Sequence, residues 1–294
     1  MQDKRVIFPG ILVPLALLVP QLAITLIFFV WPSLQSLRGS VLQQDAFGLS
    51  EVFVGLANFA RLAADPNYLA SFGITVVFAI ATTVIAMVTG LVLAVLANRV
   101  VAGSGVYRAV ITWPYAVAPA IAGVLWWFLF NPTIGVLPRL LGSLGIVWNH
   151  FLNGGQALLL VIIASAWKQV SYNFLFFLAG LQTIPQSLLE AAEIDGADGF
   201  TRFRLIVLPL LMPTTFFLTV VNLVYAFCDT FAVIHATTAG GPGQSTTTLV
   251  YKIFRDGFEA LDLGGSAAQS VVLMLIVGAL TVVQFRYIER NIHY

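Results

Sequence analysis

The chain has 294 residues, of which 59% are hydrophobic and only 9% charged, with a formal net charge of +1. Soluble domains carry about 25% charged residues, so this composition excludes a soluble protein, and the near-neutral charge excludes a nucleic-acid footprint. One cysteine, Cys228, and three scattered histidines (His150, His235, His293) exclude an intrachain disulfide and a cysteine-rich metal site. Length alone would suit two soluble domains, but the apolar blocks override it, and residues 1–294 read as one membrane domain.

A membrane helix needs about 20 mostly apolar residues. In chain order, residues 11–31, 72–97, 110–130, 157–181, 212–231 and 267–285 meet that need. The first follows Lys4 and Arg5, outlasts a signal-peptide core and lacks a small-x-small cleavage site, so it reads as an uncleaved span. Backbone groups in lipid must be paired within the segment, which makes all six helical and the fold an all-α membrane protein. Pro14, Pro20, Pro114 and Pro119 fall inside spans and predict kinks.

Three connections on one side are long: residues 32–71, 131–156 and 235–266. Their Phe53, Phe59, Tyr68 and Trp148 predict surface helices near the membrane interface, a zone that aromatic side chains favour. The last one carries Gly240-Gly241-Pro242-Gly243 and Thr246-Thr247-Thr248, but no Gly-Lys-Ser/Thr follows. Phosphate-loop mechanics are therefore missing, and the stretch reads as a tight turn before an outer surface helix.

Six spans put both termini on one side. With the N-terminus inside, Lys4, Arg5, Arg99, Arg108, Arg202, Arg204, Arg286 and Arg290 are cytoplasmic. Outside lie Arg38, Arg61, Arg139, Lys252 and Arg255, and the excess of inner cations favours this orientation. Both termini are then expected in the cytoplasm. Parity places the connection between the fourth and fifth spans there too, without appeal to any motif.

That connection reads as a short helix over roughly residues 184–199. Thr183 is its predicted N-cap, with Gln186 completing a capping box and Pro185 in the first turn. Leu188, Leu189, Ala192 and Ile194 give it an apolar side, and Glu190, Glu193, Asp195 and Asp198 make it acidic. Ala191 and Ala192 keep it slim, while Gly196 and Gly199 let the chain leave the helix. Arg202 and Arg204 mark the return to the membrane, and Pro209 and Pro213 open the next span. A capped helix with small residues between acids points to an element that docks.

The pattern Glu190-Ala191-Ala192, three residues, Gly196, nine residues, then Ile206-x-Leu208-Pro209 resembles the cytoplasmic motif of permease subunits of binding-protein-dependent ABC importers. Residues 114–119, 167–174, 221–227, 251–258, 267–271 and 284–287 narrow the resemblance to sn-glycerol-3-phosphate importers, within the maltose/carbohydrate permease group. The resemblance implies a type I importer permease fold with six transmembrane helices and a cytoplasmic coupling helix, in the bacterial inner membrane. It also implies a heterodimeric pore with a second permease, two ATPase subunits inside and a periplasmic solute-binding protein outside. ATP and Mg would be bound by the ATPase, and this chain would hold no cofactor. Glu190, Ala191, Ala192, Gly196, Leu208 and Pro209 would couple to the ATPase, Glu190 through a charge-assisted contact. The implied cargo is sn-glycerol-3-phosphate, with related glycerophosphodiesters beside it.

Within the spans, Lys168 is the only cation and Asp229 the only acid, near an end. A central Lys costs about 2.5–3.5 kcal/mol on insertion scales, so Lys168 should face a cavity or a partner. It reads either as an attractor for a passing phosphate or as an ammonium bonded to helix carbonyls or to Asp229. A Trp-Lys pair at this place also resembles permeases for uncharged sugars. Tyr172, Asn173, Asn222 and Tyr225 are pathway candidates or interhelical glue. Phe174, Phe176 and Phe177 read as packing. A permease for a neutral sugar or polyol is the alternative within the family. A secondary transporter would want several intramembrane acids, and an intramembrane enzyme would want a clustered catalytic set. Neither pattern is present.

Overall fold

The computed structural model describes residues 12–45, 50–98 and 104–291. Expectations resting on Lys4, Arg5, Ile11, Arg99 and His293 lie outside them. The helices are α1 (Leu12–Thr25), α2 (Trp31–Gly39), α3 (Ala57–Ala64), α4 (Pro66–Asn98), α5 (Ser104–Ala116), α6 (Pro119–Phe130), α7 (Val136–Ser143) and α8 (Gly154–Gln182). There follow α9 (Gln186–Ile194), α10 (Gly199–Arg202), α11 (Leu208–Leu210), α12 (Met212–Cys228), α13 (Phe231–Thr237), α14 (Leu249–Phe254) and α15 (Leu263–Asn291). Single π-turns occupy Leu26–Val30, Phe203–Val207 and Arg255–Glu259, and β1 (Leu42–Gln44) pairs antiparallel with β2 (Glu51–Phe53). Among the described residues four helices are long and apolar enough to cross a membrane, or up to six if each of two bent helix pairs is one span.

The described residues form two compact units. The first holds the chain up to Ala64 together with Arg255–Val272. Here α1, a π-turn and α2 run on as one apolar helix, Leu12–Gly39. The chain then turns into the hairpin, where Glu51 takes Arg38 Nη2 at 2.5 Å and Gln44 Nε2 at 2.8 Å. Buried Asn58 on α3 donates to the Ser40 and Leu42 carbonyls, 2.9 Å each, and so ties α3 to the start of β1. Arg61 grips both oxygens of Asp262, which also caps the Gly265 amide at 2.9 Å. Phe53 therefore lies on an exposed strand and not on the expected surface helix, because residues 51–53 find a strand partner in 42–44.

The second unit comprises Asp65–Phe254 and the chain from Leu273 onward. Its centre is the pair α4 and α8. Without a hydrophobic drive between helices in lipid, close packing depends on small residues that let backbones approach. The buried face of α4 supplies them as Thr75, Ala79, Thr83, Ala86, Gly90 and Ala94. At Gly90 the approach is so close that any Cβ would stand 2.7 Å from that of Asn173. Phe174, Phe177, Leu178 and Leu181 of α8 continue this contact into an apolar cluster with Ala94, Ala97, Val207, Leu211 and Leu218.

Asn173 and Asn222 join α8 to α12. Each amide nitrogen donates to the other's carbonyl oxygen, at 3.0 and 2.9 Å, and spends its second hydrogen on the Gln169 or Leu218 carbonyl of its own helix. Both residues are fully buried, so the pair is closed and saturated.

The third expected span is not one kinked helix. α5 and α6 meet at 103°. Pro114 and Pro119 each remove a ladder donor, and a residue before proline avoids helical angles. Ala118 accordingly sits at φ −57°, ψ 139° as the N-cap of α6, two residues after α5 ends. A second bend, of 66° between Gly199–Leu210 and Met212–Cys228, lies just ahead of the expected fifth span, 212–231.

The long connections are more deeply packed than their aromatic content predicts. Tyr68 is buried in the first turn of α4, and Trp148 lies in a loop against Phe130 with ring centroids 4.7 Å apart. After the Gly240–Gly243 turn, α14 is not a surface helix: Thr246, Thr247, Thr248, Leu249, Tyr251 and Lys252 are buried. The reason is a set of polar partners on α4 and just before it. Thr75 Oγ1 accepts the Leu249 amide at 2.8 Å, and Asp65 stands 3.4 Å from the Lys252 ammonium.

Two outcomes are expected. Asn222→Leu leaves a buried amide group of Asn173 without its partner, which costs about 1–3 kcal/mol, while Asn173→Leu/Asn222→Leu should cost less than the two single changes added together. Chemical unfolding of the purified protein in detergent reads both, and strict additivity would refute the closed pair. The second concerns His150, which is buried and takes the Trp148 Nε1–H on Nδ1 at 3.4 Å. Burial pushes its pKa below the ordinary imidazole value, partly opposed by the Phe130 backbone. The unfolded chain binds this proton near pH ~6.5 and the folded chain resists it, so stability falls as pH drops below that point. Thermal unfolding at pH 7.5 and 5.5 should show a smaller acid loss in His150→Phe, and an unchanged loss would refute the assignment.

Candidate functional site

Two places in the second unit gather the residues singled out above. The first begins where α8 ends. Thr183 does not cap the next helix: its Oγ1 donates back to the Gly180 carbonyl at 2.8 Å. Because α8 continues to Gln182, Thr183 keeps helical angles, and a hydroxyl there reaches the preceding turn. Pro185 takes the N-cap position of α9 instead, without a side-chain bond, so the capping box with Gln186 does not form. The helix also covers less chain than the expected 184–199.

α9 ends in a paired closure. The Gly196 amide bonds the Glu193 carbonyl at 3.0 Å, and the Ala197 amide bonds the Ala192 carbonyl at 2.9 Å. This termination needs left-handed backbone at the first residue beyond the cap, and Gly196 has φ +84°. No atom lies within 4 Å of where a Cβ would stand, so backbone angle alone demands glycine there. Asp198 then caps α10 through the Thr201 amide at 3.1 Å. The Thr201 side-chain and backbone hydrogen bonds hold the Asp198 carboxyl below its ordinary range. Arg202 reaches back to Glu193 at 2.6 Å, which clips α10 to α9. Ile184, Leu189 and Phe203 fasten the segment to the apolar cluster of α4 and α8.

What remains on the outer side is a mixed surface. Glu190 and Ala191 are exposed, Ala192 is half-buried, and Ile194 and Phe200 are 87% and 70% exposed. Glu190 makes no hydrogen bond or ion pair among the described residues. Downstream, the Leu208 amide bonds five residues back to Phe203, and Pro209 has no amide hydrogen to continue the ladder. Ile206, Leu208 and Pro209 thus lie just ahead of the bend that leads into α12. Buried Leu211 sits against Gly180, where a Cβ would come within 2.9 Å of it.

The second place is a cleft of about 360 Å³ among α5, α8 and α12. Its polar walls are Tyr115, Lys168, Gln169, Tyr172, Tyr225 and Asp229, and its apolar wall is Val220, Val221 and Val224. Lys168 Nζ donates to the backbone carbonyl of Val117, at the break between α5 and α6. One turn on, Ser171 Oγ donates to the Ile111 carbonyl at 2.7 Å. Asp229 lines the same cleft but forms no ion pair with Lys168. Tyr115 stacks on Tyr172 with centroids 6.0 Å apart.

The cleft therefore collects Lys168, Tyr172, Tyr225 and Asp229, whereas Asn173 and Asn222 spend their amides on each other outside it. Tyr115 and Gln169 were not foreseen as part of it, whereas the Val117 carbonyl, within the expected third span, is a backbone partner of the kind expected to take the Lys168 ammonium. The signal for that carbonyl was the proline pair 114 and 119, since a broken helix releases carbonyls that a nearby donor can claim.

Residues 86–294 match the family described as the inner membrane component of binding-protein-dependent transport systems. The chain is 58% identical over 291 residues to the sn-glycerol-3-phosphate transport system permease protein UgpA of Agrobacterium fabrum, covering 99% of each chain. It is 56% identical over 291 residues to the protein of that name in Brucella abortus, again 99% of each. In fold it is similar to a chain of the crystal structure of a bacterial alginate ABC transporter in complex with an alginate pentasaccharide-bound periplasmic protein. The TM-score is 0.80 at 20% identity, over 95% of this chain and 94% of that one. The long apolar helices, the multi-spanning helical fold and these relatives agree: the chain belongs to the inner-membrane components of binding-protein-dependent transport systems, as a non-catalytic, multi-pass permease subunit.

Proposed function

We propose that this permease forms half of the translocation pore of an ATP-driven importer for sn-glycerol-3-phosphate. The observation that carries the substrate is near-full-length identity of 54–58% to permeases bearing that name. In this reading residues 1–294 act as one transmembrane permease domain that crosses the inner membrane six times, each bent helix pair counting as one span. Both termini are cytoplasmic. A second permease completes the pore, two ATPase subunits bind ATP and Mg inside, and a periplasmic solute-binding protein delivers the substrate.

α9 and α10 are the coupling element on the cytoplasmic side. Glu190, Ala191, Ala192 and Gly196 form the part that enters the ATPase, while Leu208 and Pro209 set the angle at which its motion reaches α12. Three features support this: the closed termination at Gly196, the Arg202–Glu193 clip, and an outer face whose carboxylate has no partner among the described residues. ATP-driven closure of the ATPase pair moves the docked segments and switches the pore between inward- and outward-facing states, a rigid-body transition biased by nucleotide. The cleft lined by Lys168, Tyr172, Tyr225 and Asp229 lies on the substrate path. Asn173 and Asn222 hold its walls at a fixed spacing.

Reconstituted with its partners, the importer should take up labelled sn-glycerol-3-phosphate in an ATP-dependent way, and uptake of a neutral sugar in its place would overturn the substrate. Glu190→Lys reverses the charge offered to the ATPase, and Gly196→Val forces left-handed backbone on a β-branched residue at about 1–2 kcal/mol. Both should lower uptake by about tenfold or more at unchanged membrane levels. Full uptake by both variants would remove the coupling role.

A further inference from the structure

We propose that the cleft is a transient phosphate-monoester site in which Lys168 is the phosphoryl contact, its ammonium passing between the Val117 carbonyl and a phosphate oxygen as the substrate moves through. This rests on the substrate reading above and names the group that recognises it. An ammonium has three donors, and Val117 takes one of those of Lys168 among the described residues. Asp229 lines the same cleft without pairing with it. A cation and a carboxylate thus face one cavity while neither neutralises the other. That arrangement suits a ligand with an anionic end and a hydroxyl-bearing end.

The cavity, about 360 Å³, lies within the range of small-molecule sites, about 300–1,000 Å³. A phosphate monoester carries about −1.5 to −2 charges at pH 7 and three acceptor oxygens. Against such an acceptor a neutral backbone carbonyl is the weaker partner for an ammonium. Tyr115, Tyr172 and Gln169 supply neutral donors beside it, and Asp229 accepts from hydroxyl groups while repelling the phosphate. The substrate is thereby oriented with its phosphate toward Lys168. One cation, without a second to close a clamp, holds a dianion loosely enough for it to leave, as a path requires. The exchange also reaches the backbone. When the ammonium leaves Val117, that carbonyl loses its side-chain partner at the break between α5 and α6, so occupancy of the cleft is linked to the geometry of the break.

The test uses the complete reconstituted importer, with sn-glycerol-3-phosphate as the probe and maximal uptake at saturating binding protein as the readout, normalised to permease in the vesicles. Lys168→Met should lower that rate about tenfold or more, the worth of one charge-assisted contact. Lys168→Arg keeps the cation and should recover most of the rate. Ser171→Ala cuts the neighbouring tie to Ile111 but leaves the cation, and should stay within about twofold of the parent. Undiminished uptake by Lys168→Met would overturn the proposal. So would equal loss in Lys168→Met, Lys168→Arg and Ser171→Ala, because Lys168 would then only brace the broken helix. Absence of uptake by the unaltered importer would overturn the substrate assignment itself, and this inference with it.

Discussion

Backbone polar groups surrounded by apolar side chains must each find a partner, and at several departures from helix among the described residues a side chain supplies one. The break after Ala116 coincides with Lys168 and Ser171, which claim the Val117 and Ile111 carbonyls. The turn after Phe130 closes on Asn131, whose Oδ1 accepts the Thr133 and Ile134 amides. α8 starts on Asn153, which accepts the Gln156 amide, and α14 starts on Thr75 of α4. Unpaired, each such group would cost several kcal/mol in an apolar medium. The polar residues inside the apolar spans are therefore first of all the terms on which irregular backbone is allowed.

The segment between α8 and α12 follows the opposite economy. Its partners are almost all local: Gly196 and Ala197 close on α9, Asp198 caps α10, and Arg202 clips the two together. A short helix of this length is marginal in water by itself. It persists because Leu189 and Phe203 pack half-buried against the cluster around Phe174 and Phe177, and because its C-terminal end closes at Gly196 and Ala197. In the proposed coupling role such a segment would transmit displacement, since its own hydrogen bonds need not be broken when a partner pushes on its outer face.

Much of this was legible in the residues, and the parts that were not share a cause. α4 and α8 stand out because 33 and 29 residues run without an interior proline. Gly196 and the Leu208-Pro209 pair were readable because each acts through backbone angle, which its own residue type dictates. Thr183 was not, since the same hydroxyl can cap the helix ahead or bond the turn behind, and the extension of α8 to Gln182 decides between them. Pro114 and Pro119 announce a bend but not its 103°, because prolines only remove donors, and the angle depends on which groups claim the freed carbonyls. Lys252 and the threonines before it read as a tight turn and an outer surface helix until Asp65 and Thr75, far away in the chain, were brought alongside. Long-range partners of this kind leave no periodic trace.

The same logic separates Asn173 from Lys168, two polar residues five positions apart on one helix. An amide offers two hydrogens and two lone pairs, and at Asn173 the partner Asn222 and the Gln169 carbonyl use both hydrogens. No hydrogen is left to donate to a passing molecule, and Gly90 pressed against its Cβ leaves no room either. Lys168 has the opposite surplus: an amino group with three donors, one carbonyl acceptor and an open cavity beside it. A saturated pair can only hold helices together, whereas an unsaturated cation at the edge of a cleft can exchange partners. That difference in leftover bonding capacity, rather than polarity itself, marks which intramembrane residue can meet a substrate.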